Sequence, residues 1–285
     1  MSMEKIKIIT DSSADLPKEV FRELDIEVLP LLINFGEVSY LDGVDITIDE
    51  LFDKIEKGDV FPNTSQVTPV RFQEAFKKYL DEGYKIISIH LSSNMSGTYQ
   101  SACIAKELLE SDDIYVIDSQ TVTSGLALLA YRAAKLRDKG MTVEDIVKDL
   151  EETKGKISES LCFESLDNLV RGGRISKTVG VVTGMLGIKL ILDVKDGLMS
   201  VKDKVRGNKK AVKRIIKDIE ELVPMEDMPV VLINVNYDEV CDEVRKYLQE
   251  KNIFTIETKV GCTVGIHSGN HASGVFFFAQ NQVKA

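Results

Sequence analysis

A chain of 285 residues with 44% hydrophobic and 29% charged side chains has the length and apolar content for a substantial core, in one large domain or two ordinary ones. Its net charge of −10 argues against broad binding to nucleic acid or anionic membranes. Four scattered cysteines (Cys103, Cys162, Cys241, Cys262) form no CxxC pair, which speaks against a zinc or thiol-redox site; with no signal-peptide core after Lys5 and Lys7, and no membrane-length apolar run, a cytoplasmic protein is expected.

In chain order, short Ile- and Val-rich runs predict strands over residues 6–10, 27–34, 85–91 and 114–117. Helices are predicted to start near Pro17, Thr47, Thr68, Gly97, Thr121 and Thr142, with Pro17 and Pro69 suited to a first helical turn. This alternation predicts a doubly wound, mostly parallel sheet covered on both faces. Near Lys154-Gly155-Lys156 the texture changes. Strands are then predicted over 160–163, 188–194, 198–205, 230–235, 254–259 and 274–278, with Asp196-Gly197 as a hairpin turn. The expected architecture is therefore α/β: an N-terminal domain of residues 1–156 and a smaller C-terminal domain of residues 157–285 with a mixed sheet.

Several segments carry chemistry. Thr10-Asp11-Ser12-Ser13-Ala14-Asp15 ends the first strand and reads as a helix cap or a ligand contact. Asn63-Thr64-Ser65-Gln66-Val67-Thr68 holds more hydroxyls than the one needed to cap the helix at Pro69. Leu91-Ser92-Ser93-Asn94-Met95-Ser96-Gly97-Thr98 runs from a strand into a helix, the position where open α/β sheets bind anions. It lacks GKS/T and GxGxxG, so a nucleotide-phosphate loop is not indicated; Ser96 and Thr98 are donors for a carboxylate or phosphate, or a cap.

Gly172-Gly173 stops a short helix, after which Arg174 is an anion partner or a surface residue. Three glycines between Gly261 and Gly269 give His267 a setting that His90 and His271 lack. Lys202, Lys204, Arg206, Lys209, Lys210, Lys213 and Arg214 cluster around the single acid Asp203, either as a solvated face or as a docking surface for an acidic partner. Residues 179–188 are apolar nearly all round and predict a buried helix, slimmed by Gly180, Gly184 and Gly187.

Taken in order, Ile9-Thr10-Asp11-Ser12-Ser13-Ala14-Asp15-Leu16, Thr64-Ser65-Gln66, Ser96-Gly97-Thr98-Tyr99-Gln100-Ser101-Ala102, Asp118-Ser119, Gly172-Gly173-Arg174-Ile175-Ser176 and Gly265-Ile266-His267-Ser268-Gly269 resemble the DegV family of bacterial lipid-binding proteins over nearly the whole chain. The resemblance implies two α/β domains with a long-chain fatty acid between them. It implies that Thr64 and Ser96, with Gly97 and Thr98 beside them, Arg174 and His267 surround the carboxylate. It further implies a non-catalytic binding subunit without cofactor or metal, which presents the acid to a separate ATP-dependent kinase for acyl phosphate formation in phospholipid synthesis. Arg206 would engage that kinase or the new phosphate. Val67, Leu190, Thr123, Ala127 and the run Gly269-Asn270-His271 depart from the family's usual residues (proline, proline, serine, glycine and Gly-Pro-Gly).

A long-chain carboxylate also suits the residues physically. Each buried methylene contributes about 0.8 kcal/mol, which offsets the desolvation of a fully hydrogen-bonded head group. Two other functions stay open. A stand-alone phosphotransferase would need a nucleotide loop or clustered metal carboxylates, and Asp11, Asp15 and Asp118 each have a capping alternative. A regulator that senses an acyl ligand would use the same residues as a presenting subunit.

Overall fold

The computed structural model describes residues 4–58, 60–175 and 187–281. Four parallel strands, β1 (Ile6–Asp11), β2 (Ile26–Leu29), β6 (Lys85–His90) and β7 (Ile114–Asp118), form a sheet in the order β2-β1-β6-β7. Helices α1 (Lys18–Glu23), α3 (Pro69–Asp81) and α4 (Thr98–Leu109) lie in the connections between them, and α5 (Ser124–Asp138) and α6 (Val143–Thr153) follow β7. The second large sheet is mixed, in the order β10-β9-β8-β13-β11-β12. Its strands are β8 (Ile157–Phe163), β9 (Ile188–Lys195), β10 (Leu198–Arg206), β11 (Val230–Val235), β12 (Thr255–Lys259) and β13 (Ala272–Phe278); only β11 and β12 pair in parallel. The strands of the two sheets divide at the single 3-10 turn Lys154–Lys156.

The layers follow from which side chains need burial. Helices α3 and α4 cover one face of the parallel sheet through Phe72, Phe76, Ala102 and Ala105. Helices α8 (Asn208–Leu222) and α9 (Asp238–Glu250) cover the outer face of the mixed sheet. Between the two sheets lies α5, which packs on β1, β6, β8 and β13. Its small and aliphatic residues, from Leu126 to Ala130 and again at Ala133 and Ala134, are fully buried, as a helix sandwiched on both sides requires. The hydrophobic core is therefore continuous from Ile8 and Ile87 through α5 to Leu161 and Phe276.

Three features depart from the sequence expectation. The predicted strand over 27–34 is two strands in different sheets, because Pro30 withholds a ladder N–H between them. The second of these, β3 (Leu32–Phe35), pairs with β4 (Val38–Leu41) and β5 (Asn63–Ser65) in a small third sheet. The glycine-rich segment near the C-terminus is a seven-residue helix, α10 (Cys262–Ser268). It packs on α2 (Ile48–Glu56), β3 and β5, and so returns late sequence to the first half of the chain. The apolar stretch 179–188 lies outside the described residues up to Leu186. Among the described residues no helix is long and apolar enough to cross a membrane.

The Asp196-Gly197 hairpin forms as expected, both residues at positive φ (51° and 72°). Its tip also docks on the β6–α4 loop: Ser92 Oγ donates to the Gly197 carbonyl (2.7 Å) and Asn94 Nδ2 to that of Asp196 (2.8 Å). In the middle of β13, a Cβ on Gly274 would overlap the Ser160 carbonyl and Leu161 Cα of β8. Gly274→Ala is expected to lower stability by about 2–3 kcal/mol, read from the urea midpoint.

Candidate functional site

The C-terminal ends of the parallel strands carry the loops that open onto an internal cavity of about 370 Å³. Its walls come from both sides of the Lys154–Lys156 turn. Leu31, Leu91, Met95 and Val122 contribute from the first half, and Leu161, Phe163, Leu169, Met199, Ile233 and Phe276 from the second. Most of the lining is apolar. Polar groups with hydrogens to spare gather where β5, the α4 N-terminus, the residue after α7 (Asp167–Gly172) and α10 meet.

Five of the expected residues, Thr64, Ser96, Gly97, Arg174 and His267, are at this polar end. Thr64 on β5 and His267 on α10 face each other, Oγ1 to Nε2, at 3.2 Å. Gly173 ends α7 in the left-handed conformation (φ 70°) and turns Arg174 inward, where its guanidinium donates to the carbonyls of Met95 (3.1 Å) and Gly172. Among the described residues no carboxylate pairs with Arg174. Ser96 lines the cavity and accepts from the Thr98 amide at 3.2 Å; the N-cap of α4 is Gly97, which has no side-chain cap bond, so Ser96 stands just ahead of the cap position.

Two glycines make the convergence possible. A Cβ on Gly97 would overlap the Gln66 carboxamide, whose Nε2 donates to Ser101 Oγ (2.8 Å) and so ties the Thr64 strand to α4. A Cβ on Gly172 would overlap the His267 ring.

Two expected residues are elsewhere. Thr98 is fully buried behind the wall, and its hydroxyl meets only Ser96 Oγ (2.9 Å). Arg206 is exposed at the end of β10 and does not line the cavity. The basic cluster around it also differs from its sequence appearance. Buried Asp218, one helical turn beyond Arg214, pairs with Lys202 (3.1 Å) and Arg214, and Arg214 also pairs with Asp203 (3.0 Å). Lys204, Arg206, Lys209, Lys210 and Lys213 remain as the exposed part.

Apart from Ser268, which donates to the neighbouring Gly269 carbonyl, the cavity hydroxyls fall into two sets according to the partner each meets. Ser13 donates to Asp11, Thr123 to Asp15 (2.6 Å), Thr263 to Asp42 (2.5 Å) and Ser273 to the Ile233 carbonyl (2.9 Å). Thr64, Ser65 and Ser96 instead sit beside groups able to donate to them: His267, Asn34 Nδ2 (2.8 Å) and Thr98. The Asn34 amide donates to Ser65, while the Thr64–His267 and Ser96–Thr98 pairs can run in either direction, so each of these three hydroxyls is able to turn its O–H to a ligand. Ser65, Thr123 and Thr263 carry no separate signal in the sequence, because what distinguishes them is the partner each meets in space.

Two carboxylates on the first half hold α10. Asp42 accepts from Ser12 Oγ and the amides of Cys262 and Thr263 in addition to Thr263 Oγ1. Asp15 accepts from the Gly261 amide (2.7 Å) and Thr123. Burial pushes the Asp15 carboxyl up to about 8 despite those two donors. The segment from Thr10 to Asp15 is therefore not the cap of α1, whose N-cap Pro17 has no side-chain bond; its acids face inward.

Asp11 also joins His90 Nδ1 (2.9 Å), whose Nε2 meets Ser88 Oγ (2.7 Å). This order matches a hydrolytic triad, yet Ser88 and His90 are 0% exposed and the Phe72 ring closes over the imidazole. It braces β1 against β6. Among the described residues no three His, Cys, Asp or Glu side chains could hold a metal ion.

Fold and cavity together define an α/β protein built around an internal space that is apolar along its walls and rich in donors at one end. The chain belongs to the DegV family: the model described as an uncharacterised protein of the DegV family matches residues 5–280. A DegV domain-containing protein of Clostridium acetobutylicum is 52% identical over 96% of this chain and 99% of its own. A DegV family protein of Thermus thermophilus described for its fatty acid binding superposes with a TM-score of 0.90 at 26% identity, covering 96% of this chain and 99% of the other. A stearic acid-binding protein of Eubacterium ventriosum gives 0.85 at 25% identity, covering 96% and 98%.

Burial, reinforced by the nearby Arg174 charge, lowers His267 to about 4 from an ordinary value of 6.5. Between these values the unfolded chain takes up a proton that the folded chain refuses, so this residue's contribution to stability is lost as pH falls from 6.5 towards 4. His267→Asn is expected to flatten that part of the profile relative to the parent chain, measured by urea unfolding at pH 7 and pH 5.

Proposed function

We propose that this protein binds a long-chain fatty acid, holds its carboxylate with Thr64 and Ser96 beside Arg174 and His267, and presents it to a separate ATP-dependent kinase that forms the acyl phosphate. One observation carries the reading: Thr64, Ser65, Ser96 and Arg174 share one end of the cavity, while Ser13, Thr123, Thr263 and Ser273 are committed to buried acceptors. A carboxylate placed among the first set gains charge-assisted hydrogen bonds. Placed among the second, it would face Asp11, Asp15 and Asp42.

In this reading neutral His267 carries its proton on Nε2, donates to Thr64 Oγ1, and turns the Thr64 O–H towards the ligand. Thr98 does the same for Ser96 from behind the wall. Arg174 supplies the positive charge. The acyl chain lies against Met95, Phe163, Met199 and Phe276, and each methylene removed from water adds about 0.8 kcal/mol. Known DegV structures described as fatty-acid-binding, such as the Thermus and Eubacterium proteins, support the ligand class. The phosphoryl donor belongs to the partner: the cavity lining includes neither Asp11 nor Asp15, and Asp118 is occupied by the Ser93 and Gln120 amides. Exposed Arg206 lies on a basic surface suited to an acidic partner.

Mass spectrometry of the denatured, purified protein is expected to release a long-chain fatty acid; a folded chain that stays empty when offered one refutes the reading. Replacing Thr64 and Ser96 together by Ala is expected to weaken binding by roughly 2–4 kcal/mol, measured by fatty-acid titration. Arg206→Ala is expected to leave that affinity intact and slow phosphorylation by the partner kinase. Phosphorylation of the acid by the purified chain alone would point to a stand-alone enzyme.

A further inference from the structure

At the turn between β7 and α5 the backbone is forced. Thr123 stands at φ 51° and ψ −127°, a region in which a β-branched residue is a genuine outlier. Such strain persists only where surrounding bonds over-determine it, and here they do. Thr123 Oγ1 donates to Asp15 Oδ2 at 2.6 Å, Ser124 Oγ donates to the Asp15 carbonyl at 2.9 Å, and the Thr123 carbonyl takes the Ala127 amide at 3.1 Å. With the hydroxyl fixed on Asp15, χ1 is fixed, and so is the γ-methyl.

Thr123 lines the cavity and is 4% exposed. Phe276, fully buried, lines it as well; a Cβ on Gly125 would stand 3.2 Å from its Cδ1, so the first turn of α5 leaves no room for a side chain between itself and the ring. Asp15 also takes the Gly261 amide and thereby ties the Thr123 turn to α10, whose Thr263 and Val264 belong to the same lining. Neither element can retreat independently of the other. A wall packed in this way resists an added methyl and admits one only where a methyl has been removed.

We propose that Thr123 is a specificity-determining residue: its γ-methyl, locked by the bond to Asp15, sets the bore of the cavity so that unbranched acyl chains enter and methyl-branched chains of equal carbon number are rejected. The inference rests on the fatty-acid reading above and adds to it the class of chain. One methyl in an apolar pocket commonly discriminates by 10-fold or more, which sets the scale of the effect.

The test is competition between a straight and a terminally methyl-branched fatty acid of the same carbon number, offered together to the full-length protein and quantified after denaturation. The parent chain is expected to retain the straight acid by about tenfold or more. Thr123→Ser keeps the hydroxyl for Asp15 and removes only the methyl, so its preference is expected to fall close to parity. Thr123→Val keeps the branch and loses the donor; it is expected to melt at a lower temperature with the preference retained, and if it fails to fold the serine variant still decides. A serine variant with the parent's preference, or a parent chain without preference, overturns the assignment of Thr123 while leaving fatty-acid binding intact. A folded parent chain that takes up neither acid overturns the fatty-acid reading and this inference with it.

Discussion

The structure depends on two buried carboxylates that receive the start of a seven-residue helix. Isolated helices of that length do not hold together in water. Here Asp42 accepts the Cys262 and Thr263 amides and two hydroxyls, and Asp15 accepts the Gly261 amide, so the unpaired amides at the start of α10 all meet acceptors. Burying a carboxylate without partners would cost several kcal/mol; with partners on both halves of the chain it becomes a clamp. The clamp brings His267 to Thr64 across 203 residues and places Thr263 and Val264 in the cavity wall.

The same carboxylates divide the chemistry of the cavity. They take the protons of Thr123 and Thr263, Asp11 takes that of Ser13, and most of the wall is left without donors. Thr64, Ser65 and Ser96 escape because, among the described residues, none of them meets a carboxylate and each has a neighbour able to donate to it. A polar end and a neutral remainder therefore arise from residues of one chemical kind. Gly97 and Gly172 contribute by omission, giving room to Gln66 and to the His267 ring.

Legibility followed locality. The strands at 85–91, 114–117 and 230–235 are visible because their apolar runs are long enough to be buried on both faces. Thr47, Thr68 and Thr142 announce helices because each accepts an amide three residues ahead, a bond within one turn. The hairpin at Asp196-Gly197 needs only two residues at positive φ. In contrast β4 and β5 exist because β3 offers them an edge, and Val38 is over half exposed, so no apolar pattern marks them. Helix α10 is masked by glycines that suit loops. Gly265 is one of them, and a Cβ there would overlap Ile48 of α2, a contact that exists only in the fold.

By itself the sequence determined an acidic α/β protein with a parallel sheet, a mixed sheet and a set of small polar segments at strand ends, since these follow from composition, period and turn chemistry within a few residues. It also marked Thr64, Ser96, Arg174 and His267 as residues of interest. The family resemblance grouped these four around one carboxylate and gave Arg206 to the partner; the tertiary structure added that the four line one cavity, that Thr98 stands behind its wall, and that Arg206 is exposed outside it. The tertiary structure alone decided which hydroxyls face a carboxylate and which face a group able to donate, because that depends on neighbours in space, and Thr64 and His267 are 203 residues apart.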